Sequence, residues 1–237
     1  MERRSLMVIL AHPDDESFPI GGTLAMYAAQ GASITLVTAT NGQHGIPGLT
    51  PLQAGEVRVG ELYDAAAALR IAEVRLLGYM DGELEQAVQD EVRRRLRALM
   101  ITHRPDAVIT FGPDGISGHV DHLAIHRLAT EAFDAAALPD ARLYYIAPSE
   151  ATRQGCGVNP SAEVAGGTVA AIDIGPHREA KLRAMQCHAS QHPPFGGPPA
   201  EEAGKLACHE YFTLARPSVL SDALACLFAP LNAPVPA

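Results

Sequence analysis

Two runs of this 237-residue chain carry residue types that can do chemistry together: His12-Pro13-Asp14-Asp15-Glu16 and Gly118-His119-Val120-Asp121-His122. Three adjacent carboxylates repel one another, and a divalent cation removes the difficulty. Imidazole and carboxylate both bind zinc, at about 2.0–2.2 Å, and a catalytic site uses three protein ligands with a fourth position left for water. Pro13 fixes its own φ and biases His12 toward extended backbone, which aims His12 and a residue just beyond the turn at a common point. Of Asp14 and Asp15, one can bind metal while the other, pointing elsewhere, reaches the water that the metal acidifies. Three ligands from one loop rarely surround a cation, so the third is expected from the second run. There His119 and His122 are three residues apart and share a face at a helix start, one able to bind metal and the other to contact substrate. His126 continues the same stripe and is a rival ligand. Glu16 is better explained as an acid at the positive end of a following helix. The His-Glu-x-x-His pattern of thermolysin-type proteases is absent. His44, His103, His177, His192 and His209 are read as ordinary histidines.

The elements that position these residues are short β-branched runs alternating with longer helical patterns. Leu6–Ala11, Ser33–Thr38, Glu73–Leu77, Ala107–Phe111, Arg142–Ile146 and Val169–Ile174 predict strands. Thr23–Gln30, Ala54–Leu69, Leu84–Ile101, His122–Ala136 and His177–Ser190 predict helices. Such alternation argues for one α/β domain spanning residues 1–237, Rossmann-like, with a mostly parallel sheet covered by helices on both faces. The functional crevice of such a sheet lies beyond the carboxyl ends of its strands. The polar clusters fall there: His12–Glu16 after the first strand, Thr40–His44 after the second, Asp81 after the third, Gly112–His122 after the fourth. The Pro- and Gly-rich stretch His192–Gly204 is read as irregular, either a connector or a mobile flap, and Ala229–Ala237 as a frayed terminus.

Bulk properties exclude several classes of function. A formal net charge of −9 disfavours nucleic acid and anionic membranes as partners. The apolar run Leu6–Ala11 is too short for a signal-peptide core, and no stretch approaches the ~20 apolar residues of a membrane helix. Cys156, Cys187, Cys208 and Cys226 lack C-x-x-C spacing, so reduced thiols in a cytoplasmic protein are expected. The apolar helix faces are compatible with a homo-oligomer without requiring one.

The two clusters, in this order and setting, resemble the signature of the LmbE-like (PIG-L) deacetylases. The resemblance rests on Ala11-His-Pro-Asp-Asp-Glu16, Thr40-Asn-Gly42, Arg58-x-x-Glu61-Leu62, Leu77-Gly-Tyr-x-Asp81, Phe111-Gly-Pro-Asp-Gly115 with Gly118-His-x-Asp-His122, and Lys181-x-x-Ala184 with His188-x-Ser-Gln191. It implies one zinc ion per chain held by His12, Asp15 and His122, with Asp14 as general base. It implies that protonated His119 stabilises the oxyanion, with Asp121 as its orienting partner, and that Arg58 and Asp81 hold sugar hydroxyls. The implied reaction is removal of the acetyl group from a small-molecule N-acetylglucosaminyl conjugate, such as a low-molecular-weight thiol precursor. Three positions depart from the family's common pattern: Gln43 where Glu is common, Val120 where the Pro of His-Pro-Asp-His is common, and Ser117 where some members have a tyrosine. The competing readings are a metal-dependent hydrolase of another amide or of a phosphoester, and a non-catalytic sugar-binding protein on the same fold.

Overall fold

The computed structural model describes residues 4–147, 169–191, 199–216 and 227–228. Seven strands form one sheet: β1 (Ser5–Leu10), β2 (Ser33–Thr40), β3 (Glu73–Tyr79), β4 (Ala107–Phe111), β5 (Arg142–Ala147), β6 (Val169–Asp173) and β7 (His209–Arg216). Their order is β3-β2-β1-β4-β5-β7-β6. The strands from β3 to β5 are parallel, whereas β7 runs antiparallel to both β5 and β6. The parallel body fits the sequence expectation of a mostly parallel sheet. A strand at His209–Arg216 was not expected, although Phe212 and Leu214, buried two apart, carry a period-two signal there.

β1 lies inside the sheet, between β2 and β4, and Leu6 to Leu10 are all buried, as required of a strand covered on both faces. The order reverses at β1, which pairs with β2 on one side and β4 on the other. That reversal opens a crevice beyond the carboxyl ends of β1 and β4. His12 leaves one of those ends and Gly112 the other, so the topology alone brings the two polar runs face to face.

The helices are α1 (Gly21–Ala29), α2 (Pro51–Ala68), α3 (Gln89–His103), α4 (Val120–Ala136), α5 (Arg178–Cys187) and α6 (Pro199–Lys205). α2 begins three residues before its expected start because Thr50 accepts from the backbone of Gln53, Gln53 reaches back, and Pro51 occupies the first helical position. α3 begins later than expected: Leu84–Gln86 is a separate 3-10 turn, and Val88 is extended. α6 corrects the reading of His192–Gly204 as wholly irregular, since Pro199 opens a helix whose next residues favour it. Residues 192–198 of that stretch, the terminus 229–237, Cys156 and Cys226 lie outside the described residues. Cys187 and Cys208 are free thiols. No helix of the described residues is long and apolar enough to cross a membrane.

Two glycines in helices predict opposite effects of the same substitution. A Cβ on Gly22, in the first turn of α1, would meet Ile174 atoms at 2.5 to 2.9 Å, whereas one on Gly60, exposed on α2, meets nothing within 4 Å. Gly22→Ala should therefore destabilise by about 1–3 kcal/mol through overpacking. Gly60→Ala should stabilise by about 0.5–1 kcal/mol by restricting the unfolded chain. Urea unfolding midpoints check both signs.

Candidate active site

The turn after β1 supplies the first half of the site. His12 is nearly buried, and its two ring nitrogens face different neighbours. Nε2 lies 3.1 Å from Asp121 Oδ2 and 3.2 Å from Asp81 Oδ1. Nδ1 lies 3.2 Å from His122 Nε2 and 3.6 Å from Asp15 Oδ2. Asp15 Oδ1 in turn is 3.3 Å from His122 Nε2.

Three donor groups from two strand ends thus converge on one point. A tetrahedral ion with bonds of about 2.0–2.2 Å has ligand–ligand edges of about 3.3–3.6 Å. His12 Nδ1 and His122 Nε2 stand near that edge length at 3.2 Å, and Asp15 meets them through separate oxygens, Oδ2 at 3.6 Å from His12 and Oδ1 at 3.3 Å from His122, so the three groups border one point where a cation could sit. Each also has the outer support that metal ligands use. His12 Nε2 faces Asp121, and His122 Nδ1 lies 2.8 Å from the Gly115 carbonyl. Asp15 Oδ2 accepts the His12 backbone N–H at 2.7 Å. The His122 ring also stacks on Phe111, with centroids 4.0 Å apart.

Two other donor sets lie within 4.8 Å of one another: His12, His119 and His122, and His12, Asp81 and Asp121. The second is the weaker candidate, because both Asp121 oxygens are already occupied. Oδ2 accepts from Gly82 N–H at 2.7 Å and Oδ1 from Leu84 N–H at 3.1 Å. Fully buried and held this way, Asp121 suits an orienting role toward His12. This corrects its expected pairing with His119, which Asp121 meets through its backbone N–H, 3.2 Å from His119 Nδ1.

That same contact fixes the His119 tautomer. With Nδ1 accepting from the start of α4, the proton resides on Nε2. Burial and the nearby His12 and His122 charges push its pKa down, which disfavours the protonated form expected of it. His126 is set aside as a rival ligand because, unlike His12 and His122, it does not border the site cavity, and its ring packs against Tyr145.

The electrostatics describe a site short of positive charge. Burial opposes charging His12, yet hydrogen bonds to Asp121, Asp15 and Asp81 lift its pKa to about 11. Burial would likewise raise Asp15, but His122 and His12 hold it far below the usual carboxylate range. A cation among these groups would take the place of those protons. Asp14 behaves differently. Burial and the Asp15 charge push it up to about 7, against the pull of Arg58. That is where a general base works best near neutral pH.

Arg58 is placed otherwise than expected. Nearly buried, its guanidinium donates to the Pro13 carbonyl and, at 2.9 Å, to Asp14 Oδ2, so it clamps the candidate base instead of standing free for a sugar. Asp81 borders the cavity, although one oxygen faces His12 and the other accepts the His44 N–H at 3.1 Å. Gln43 accepts from the backbones of Asn41 and Asp81 and donates to the Tyr79 carbonyl, which joins the exits of β2 and β3. A carboxylate could not make that last bond.

His12, Asp14, Arg58, Asp81, His119 and His122 all border one cavity of about 510 Å³. Phe18, His44, Gly45 and Gln191 border it too, and sequence reasoning missed these. His44 follows β2 in the Thr40–His44 cluster, a position that could have marked it. Glu16 is the clearest misreading. It lies five residues before α1, fully buried, and accepts from His188, Ser17 and the Asp14 backbone.

A family profile described as "PIG-L: GlcNAc-PI de-N-acetylase" matches residues 7–133. A relative from Mycobacteroides abscessus named 1D-myo-inositol 2-acetamido-2-deoxy-alpha-D-glucopyranoside deacetylase is 33% identical over 230 residues, covering 81% of this chain and 82% of that protein. Among solved structures, N,N'-diacetylchitobiose deacetylase from Pyrococcus horikoshii superposes with a TM-score of 0.67 at 24% identity, covering 90% of this chain and 84% of that one. A 4-carboxy-2-hydroxymuconate hydratase from Pseudomonas putida reaches 0.65 at 19% identity, covering 93% and 100%. The fold therefore carries more than one chemistry, and the side chains must decide.

The support given to His12 by Asp121 yields a measurable expectation. Asp121→Asn should weaken metal binding by about 10–100-fold, as losses of such outer partners do. His12→Ala should abolish stoichiometric binding. Competition against a chromogenic zinc chelator measures both.

Proposed function

The chain belongs to the PIG-L (GlcNAc-PI de-N-acetylase) family, and from that premise we propose that it is a zinc-dependent hydrolase that removes the acetyl group from a small N-acetylglucosaminyl conjugate. The observation that carries this reading is the meeting of His12, Asp15 and His122, within 3.2 to 3.6 Å of one another, beside a carboxylate with a raised pKa. The substrate class is that named for the relatives, a 2-acetamido-2-deoxyglucoside of myo-inositol. A cavity of about 510 Å³ lies within the range that holds ligands of this size. The free thiols Cys187 and Cys208 agree with a cytoplasmic setting.

A zinc ion held by His12, Asp15 and His122 would supply Lewis acidity, polarising the acetamide carbonyl and lowering the pKa of the attacking water. The chain's own groups do the rest. Asp14, held by Arg58, takes the proton of that water as it attacks the carbonyl carbon. His119, with its proton on Nε2, donates to the oxygen on which charge develops. The proton gathered on Asp14 is then available to the departing amine, which leaves as glucosamine nitrogen while acetate is released. Asp81, which borders the cavity, can accept from a sugar hydroxyl with a lone pair its present contacts leave over.

Acetate release from the myo-inositol glucosaminide, followed with and without a chelator, tests the proposal. We expect turnover that chelation abolishes and zinc restores. Asp14→Asn should lower kcat by about 10²–10⁴-fold with one zinc per chain retained. Chelator-resistant turnover, or an Asp14→Asn variant of normal kcat, would overturn the mechanism.

A further inference from the structure

Asp14 adopts φ of +112°, a backbone region that L side chains rarely occupy. Such a conformation persists only when its surroundings over-determine it. Part of the restraint is local: the Asp14 carbonyl accepts from Ser17 N–H at 2.9 Å and Phe18 N–H at 3.2 Å. Another part is Arg58, which fixes the carboxylate. The Asp14 backbone N–H remains, and it donates to Glu16 Oε2 at 3.0 Å.

Glu16 is itself fixed by a residue from the far end of the described chain. His188, just past the end of α5, places Nε2 at 2.7 Å from Glu16 Oε1, and the Ser17 hydroxyl donates to the same oxygen. Both Glu16 and His188 have no exposed surface, and neither borders the site cavity. They cannot touch substrate. The residues after His188 reach the same region: Ser190 donates twice to Glu61, one turn along α2 from Arg58, and Gln191 borders the cavity.

We propose that His188 and Glu16 are a positioning pair that holds Asp14 in its strained conformation with its carboxylate ready to accept a proton. The proposal rests on the reading of Asp14 as the base. A buried ion pair could serve stability alone, but the connection here is directional. His188 donates to one Glu16 oxygen, and the other oxygen grips the backbone of the base. Without the His188 donor, Glu16 keeps on that oxygen only the hydroxyl of the adjacent Ser17, which moves with the same turn and anchors nothing to α5, and Asp14 is free to leave positive φ. A shift of about 1 Å in a reacting group costs about 10²-fold in rate.

The test compares His188→Leu, which removes the donor, with His188→Gln, whose amide N–H can stand where Nε2–H does. His188→Leu is expected to lower kcat for acetate release by about 10²-fold, with KM and zinc content unchanged, while His188→Gln stays within about fivefold of the parent. Glu16→Gln, which turns one acceptor into a donor, should match the His188→Leu loss and decides the matter should His188→Leu fail to fold. Crystals of the metal-free variants give a reading independent of turnover. Asp14 should move to negative φ and part from Arg58, while His12, Asp15 and His122 keep their spacing. Parental kcat in Glu16→Gln overturns the pairing, as does an unmoved Asp14 or a His188→Gln variant as slow as His188→Leu. Absence of turnover in the parent protein would instead count against the deacetylase reading, and the crystallographic comparison would still judge the pairing.

Discussion

Carboxylates crowded around two histidines constrain everything else at this site. Asp15, Asp81 and Asp121 all lie within 3.6 Å of His12 ring nitrogens, and Asp15 also reaches His122. In a region nearly closed to water, that much negative charge is tolerable only with compensating cations. Without metal the burden falls on the imidazoles, which is why the pKa of His12 climbs to about 11 despite burial. The same imbalance that makes the metal-free arrangement electrostatically demanding would suit it to receive a divalent ion. Affinity and ligand protonation are two aspects of one charge requirement.

What prevents the acids from becoming interchangeable is the partner each one has. Asp15 faces both imidazoles, Asp121 takes backbone N–H groups on both oxygens, and Asp14 alone meets a guanidinium. Glu16 turns away from the metal region to His188. Four neighbouring or converging carboxylates thus acquire separate environments, and their pKa shifts diverge: Asp15 and Asp121 go down, Asp14 goes up. Divergent shifts among adjacent acids are the mark of divided labour in acid–base chemistry.

Much of this was legible in the sequence because it follows from periodicity and topology. The near-continuous apolar run of β1 announced a strand buried on both faces, and the polar runs after β1 and β4 announced the crevice. His12, Asp15 and His122, expected together, do converge. Less legible were contacts set by side-chain direction across long sequence separations. Nothing in Arg58-x-x-Glu61 says that the guanidinium bends back to Pro13 and Asp14. Nothing in Glu16 says that its partner lies 172 residues on. Local propensity favoured a helix-start acid, and tertiary packing overrode it. β7 was missed for a related reason: an antiparallel strand added after five parallel ones breaks the strand–helix alternation on which the reading relied.

The likeness to a hydratase at similar superposition sharpens what the fold does and does not determine. A doubly wound sheet supplies two loops at a switch point and leaves open which reaction they perform. A metal near a polarised carbonyl could serve hydration as well as hydrolysis. What favours amide cleavage, under the proposed roles, is the placing of a base and an oxyanion donor on opposite runs. Asp14 comes from the β1 turn and His119 from the start of α4, with His12 between them, its ring centroid 4.6 Å from that of His119. Amide cleavage needs a proton removed from water and a proton returned to nitrogen, and one carboxylate of near-neutral pKa can do both in sequence. A group held far below neutral pH, as Asp15 is, could accept neither proton, which is why the proposed mechanism gives both transfers to Asp14, pushed up by burial and the Asp15 charge and clamped by Arg58.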